Sequence, residues 1–168
     1  FRDFNLSEPL LLALDEAGGL KNALDSFNWF YLGAEFCENL LEEDLCGDIV
    51  RFQKKGRKVC LLTPPLSESG TSELKNIFSG IRALEKAGKI DFSRLELSVN
   101  DFAALELART CRIGVKIAAG RLFYENVLEQ SKTHVGAISR QALELFSSLG
   151  IKRYELSAVG HNLNSNFK

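Results

Sequence analysis

The 168-residue sequence contains no methionine, only two histidines, one tryptophan and three prolines. It also lacks a charge excess: 21 Lys and Arg stand against 22 Asp and Glu, a net charge of −1. That balance gives no electrostatic basis for a nucleic-acid groove or an anionic membrane surface, so neither is expected as a partner. No apolar run approaches the ~20 residues a helix needs to span a bilayer, and no signal-peptide pattern opens the chain. Membrane insertion is therefore not expected. The four cysteines, at positions 37, 46, 60 and 111, form no C-x-x-C pair, which removes the zinc-ribbon and thioredoxin-type patterns. Nothing in them points to an oxidising compartment, and the expected location is cytoplasmic. P-loop, G-x-G-x-x-G, H-E-x-x-H and Ser/His/Asp spacings are missing too, and with them the standard nucleotide-binding and hydrolase signatures. The absence of methionine even at position 1 leads us to expect a processed, excised or partial polypeptide.

What is present is an ordinary globular composition, 45% hydrophobic and 26% charged, enough for one α/β domain over residues 1–168. Short apolar runs alternate with helix-period segments. Leu10–Leu14 is a buried strand or the first turn of a helix, and Leu20–Phe27 has a helical pattern. Trp29–Phe36, Val59–Thr63, Arg94–Ser98, Gly114–Ala119 and Arg153–Ser157 have strand character. Between them, Leu41, Leu45, Ile49 and Phe52 recur at helical spacing before Lys54-Lys55-Gly56. Ser72–Ala87 carries the stripe Leu74, Ile77, Phe78, Ile81 and Leu84, and Gly88 ends it. Asn100 and Asp101 cap a helix over Asp101–Arg109, and Ser139 caps one carrying Ala142, Leu145, Phe146 and Leu149. Glu125–Ile138 is a short helix or an insertion. A weak internal echo relates Ala104-Leu105-Glu106-Leu107 to Ala142-Leu143-Glu144-Leu145. Strands joined by helical crossovers make a parallel sheet. About six such units predict an open sheet or an incomplete TIM-barrel-like (β/α) fold, since a closed barrel needs eight.

In either case the working groups lie beyond the carboxyl ends of the strands. Those ends carry Glu35, Cys37, Arg121 and His161, which could support acid–base work, metal or cluster ligation, or anion binding. Each has a plainer reading: Arg121 as a solvated charge, Asn100 and Asp101 as caps only, His134 as a loop residue. Cys60, inside Val59-Cys60-Leu61-Leu62, reads as a buried free thiol.

Tyr31-Leu32-Gly33, with Cys37 four residues beyond the glycine, resembles the Y-L-G-x-x-x-C segment of the U32 peptidase family. Gly56-Arg57-Lys58-Val59 resembles that family's approach to its next strand. Ser139-Arg140-Gln141-Ala142-Leu143 through Leu149-Gly150-Ile151-Lys152-Arg153-Tyr154-Glu155-Leu156-Ser157 resembles its N-x-x-A-L-x-F-x-x-L-G-V-x-R-x-x-L-S stretch. The resemblance implies the N-terminal part of a (β/α) barrel and an activity in one of three areas. These are peptidase or collagenase action, RNA modification, and oxygen-independent ubiquinone biosynthesis with a four-iron, four-sulfur cluster. It makes Cys37 the candidate cluster ligand and a homologous subunit a possible partner. The family's downstream cysteine signature does not occur, so this chain alone is expected to hold no cluster. The leading expectation is an iron–sulfur-dependent modification enzyme or its accessory subunit. The alternatives are a peptidase using Glu35 and His161, and a non-catalytic module binding a small anion through Arg121.

Overall fold

A computed structural model describes residues 26–41, 44–125 and 140–155. Within them, β1 (Trp29–Gly33), α1 (Leu45–Lys54), β2 (Lys58–Leu62), α2 (Glu68–Lys86) and β3 (Leu95–Val99) follow one another. After them come α3 (Phe102–Thr110), β4 (Lys116–Ala119), α4 (Arg121–Glu125), α5 (Arg140–Ser148) and β5 (Arg153–Tyr154). The strands form one parallel sheet in the order β1-β2-β3-β4-β5. Among the described residues it is an open sheet, made of five of the six expected strands, and it does not close into a barrel. The run Leu10–Leu14, the segment Glu125–Ile138 apart from its first residue, and the end of the last expected strand lie outside those residues. None of the described helices is long and apolar enough to cross a membrane.

Each strand is added beside the last, and right-handed crossovers then put every connecting helix on the same face. The burial pattern agrees. Val59, Leu61, Leu95, Leu97, Val99 and Ala119 pack with Ile49 and Phe52 of α1, Leu74, Phe78 and Ile81 of α2, Ala104 and Leu105 of α3, and Phe146 of α5. Their alternates Cys60, Leu62, Glu96, Ser98, Ala118 and Arg153 point to the helix-free face. Several boundaries differ from the sequence expectation for local reasons. The strand read as Trp29–Phe36 stops at Gly33, whose φ of 97° is left-handed and whose Cα lies against the Leu62 carbonyl. The helix expected from Ser72 starts at Glu68, because the Ser67 side chain accepts from the Gly70 amide and caps it.

The helix-free face carries a charged network that fixes the shape of the sheet. Arg153 Nε lies 2.9 Å from Glu96 Oε2 on β3, and its Nη2 lies 3.1 Å from Glu155 Oε1. The same nitrogen is 3.5 Å from the Cys60 sulfur on β2, and the guanidinium lies against Tyr31, the register partner of Cys60 on β1. In a flat sheet β2 and β5 are three spacings apart, about 14 Å at ~4.8 Å each, well beyond one arginine's reach. The sheet is therefore curled around its helix-free face, as a barrel wall is. Burial pushes the Cys60 thiol well up, with Glu155 adding to the shift, so Cys60 is a neutral buried thiol as expected. Burial likewise raises Tyr31, again with Glu155 contributing.

Glu155 is almost fully enclosed, and removing its cation leaves buried negative charge that the interior solvates poorly. Arg153→Met is expected to destabilise by about 2–3 kcal/mol in urea denaturation. That is below the ~3–5 kcal/mol of a fully buried pair because the arginine side chain is itself 39% exposed. A change within 0.5 kcal/mol would show that the network is not a structural tie.

Candidate functional site at the carboxyl ends of the strands

The curl brings the loops at the carboxyl ends of the strands together, and a ring of hydrogen bonds links four of them. The loop after β1 joins the loop after β2 through the Glu38 carboxylate, which accepts from the Ser67 amide at 2.7 Å and from the Ser67 and Ser69 hydroxyls. This carboxylate sits at the N-terminus of α2, where the helix dipole favours negative charge. The β2 loop joins the β3 loop through Asp101. One of its oxygens accepts from Leu66 N at 2.7 Å and the other caps α3 at Ala104 N, also at 2.7 Å. The β3 loop joins α4 through Asn100, whose Oδ1 accepts from Leu122 N at 3.1 Å while its Nδ2 donates to Thr63 O at 2.7 Å. The ring closes from α4 back to the first loop, where Arg121 Nη2 meets Glu35 Oε2 at 3.5 Å.

Two of the residues singled out in the sequence therefore meet, although 86 positions separate them. Glu35 follows Ala34 into the interior and is 7% exposed. Its Oε1 has no hydrogen-bond partner among the described residues. Arg121 is the first residue of α4 and is a quarter exposed, with its guanidinium carbon 5.0 Å from the centre of the Phe36 ring. The reading of Arg121 as a solvated surface charge is thus corrected: it is engaged at the rim. Its placement depends on Gly120, whose amide donates to Val99 O at 2.7 Å. A side chain at Gly120 would overlap Asn100 Oδ1 and come within 2.9 Å of Val99 O. Phe123, packed edge-on to Phe102 and against Phe146, anchors the rest of the short helix.

The other expectations resolve differently. Asp101 is a helix cap as read, whereas Asn100, 2% exposed, is a brace between β2, β3 and α4. His161 and His134 lie outside the described residues. Cys37 is a half-buried free thiol at the start of the Glu38–Leu40 turn. The remaining cysteines are spread over the molecule. Cys46 is in α1 facing Ile77 O of α2, Cys60 is in mid-β2, and Cys111 is at the far end of α3. Among the described residues no group of three or more His, Cys, Asp or Glu could hold a metal ion. A four-thiolate iron–sulfur cluster does not fit the cysteines of this chain. Glu38, Phe36, Arg153 and Glu155 were not singled out by sequence. The last pair had a signal: Arg153-Tyr154-Glu155 alternates charge with an aromatic, so both charges fall on one face of a strand.

No protein-family model, curated protein or solved structure matches the chain.

The Ser67 hydroxyl and amide hold Glu38 below its ordinary value of 4.5 by hydrogen-bonding its charged form. A depressed carboxylate stabilises the fold above its unfolded-state pKa and loses that contribution as pH falls through the folded value. The stability gap between the native chain and Glu38→Gln should be constant near neutrality and shrink below pH 4.5. A gap that stays the same through that range in chemical denaturation would contradict the ionic contact.

Proposed function

We propose that this chain is part of a U32-peptidase-like (β/α) barrel protein, a modification enzyme or a subunit of one, acting on a small anionic substrate at the carboxyl rim. The observation that carries the reading is the convergence of Arg121 and Glu35, from α4 and the β1 loop, on the side of the sheet where parallel α/β folds place their chemistry. In this reading Arg121 holds the substrate's anionic group, its planar fork being suited to a carboxylate or phosphate. Glu35 is the acid–base group: a buried carboxylate that can take a proton from, or return one to, a substrate atom beside Arg121. The strand order and the curl favour a barrel as the complete fold, because single winding with all helices outside is the barrel's own arrangement.

Iron–sulfur chemistry gains little support here, since Cys37 is the only one of the four cysteines in a loop at the carboxyl end of a strand. The peptidase alternative rests on His161, outside the described residues, and no observation favours it.

Thermal unfolding with small anions tests the reading. Acetate or phosphate at millimolar concentration should raise Tm, because a ligand that binds only the folded state stabilises it by mass action. The rise should vanish in Arg121→Gln. No rise with either anion, or an equal rise in the variant, would remove the proposed role of Arg121.

A further inference from the structure

Three of the four joins in the rim ring run between a side chain and a backbone amide, at 2.7 to 3.1 Å. The fourth, Arg121 to Glu35, joins two side chains and at 3.5 Å is the longest. It is also where a buried polar atom goes unsatisfied. Glu35 is more than nine-tenths buried, and Oε1 has no hydrogen-bond partner among the described residues. Burying a carboxylate oxygen without a donor is costly, and a donor supplied by a ligand removes that cost.

We propose that the rim takes a small carboxylate bearing a hydrogen-bond donor on its α-carbon, an α-hydroxy or α-amino acid, that bridges Arg121 and Glu35. The inference rests on the anion-binding role of Arg121 argued above and adds the class of ligand. The ligand carboxylate meets the Arg121 fork, and the α-hydroxyl or α-ammonium donates to Glu35 Oε1. Because the guanidinium and the Glu35 carboxylate are neighbours, the ligand's anionic and donor groups must sit on adjacent carbons. A plain carboxylate satisfies only half of this. It reaches Arg121 but lies beside a second negative charge and leaves Oε1 without a donor. A plain amine reaches Glu35 and is repelled by the guanidinium.

Calorimetric titration of the intact chain with glycolate, glycine, acetate and methylammonium, at one ionic strength, tests this. Glycolate or glycine should bind at least about tenfold more tightly than acetate or methylammonium, the size of effect expected when a site built for a donor meets an analogue lacking it. Whichever of the two binds more tightly identifies hydroxyl or ammonium as the preferred donor. In Glu35→Ala the advantage should shrink to about twofold or less, while acetate, which needs Arg121 alone, binds as well as before or better. Retained acetate binding also shows that the variant is folded. Acetate equal to both glycolate and glycine in the native chain overturns the α-substituted class and leaves the anion reading of Arg121 standing. No binding by any of the three carboxylates overturns both.

Discussion

The structure depends on one arginine that crosses its own sheet. Arg153 starts on β5 and touches groups on β3, β2 and β1, so the five strands cannot lie flat. Hydrophobic burial against the helices would be satisfied by many degrees of curvature, because apolar attraction is non-directional. Ion pairs and hydrogen bonds to a guanidinium are directional, and they select one. The network leaves Glu155 and Cys60 deep in the interior, a costly arrangement that stands only while the arginine is in place.

Curvature on the inner face has its consequence at the rim. The distance between the β1 loop and α4 is set by the sheet, and a flat sheet would place them three strands apart. Curled, they come close enough for Arg121 to reach Glu35. The remaining joins of the ring then fix the loops locally, each through a side chain that replaces missing backbone partners at a helix start or strand end. Glu38 and Ser67 do this for α2, Asp101 for α3, and Asn100 for α4. The candidate site is thus the point where a long-range constraint and a set of short-range ones meet.

Much of the fold was readable from the sequence because it rests on local, periodic signals. The stripe Leu74, Ile77, Phe78 and Ile81 marks α2, and the glycines Gly88 and Gly150 mark helix ends at positive φ. The parallel sheet follows from alternation of strands and helices. The local pattern starts α2 four residues late, at Ser72, because Ser67 is held as a cap by Glu38, 29 residues away. Glu35 and Arg121 could be proposed one by one, since both follow strand ends, but no sequence spacing encodes their meeting across 86 positions. The role of Asn100 was equally hidden. It looks like a cap in sequence, and only the approach of β2 and α4 makes it a brace. Cys37 is a candidate cluster ligand only through the family resemblance, and sequence spacing says nothing of where Cys46, Cys60 and Cys111 lie, in α1, in β2 and at the end of α3.

The curl can be measured without knowing any ligand. In a flat five-stranded sheet Tyr31 and Arg153 are four spacings apart, about 19 Å at ~4.8 Å each, too far for a nuclear Overhauser effect. In the curled sheet their side chains touch. A through-space NMR spectrum of the native chain should show cross-peaks between the Tyr31 ring protons and the Arg153 side chain. Their absence, with the β4–β5 cross-strand contacts from Ala118 to Arg153 present, would contradict the curl and with it the joining of Glu35 to Arg121.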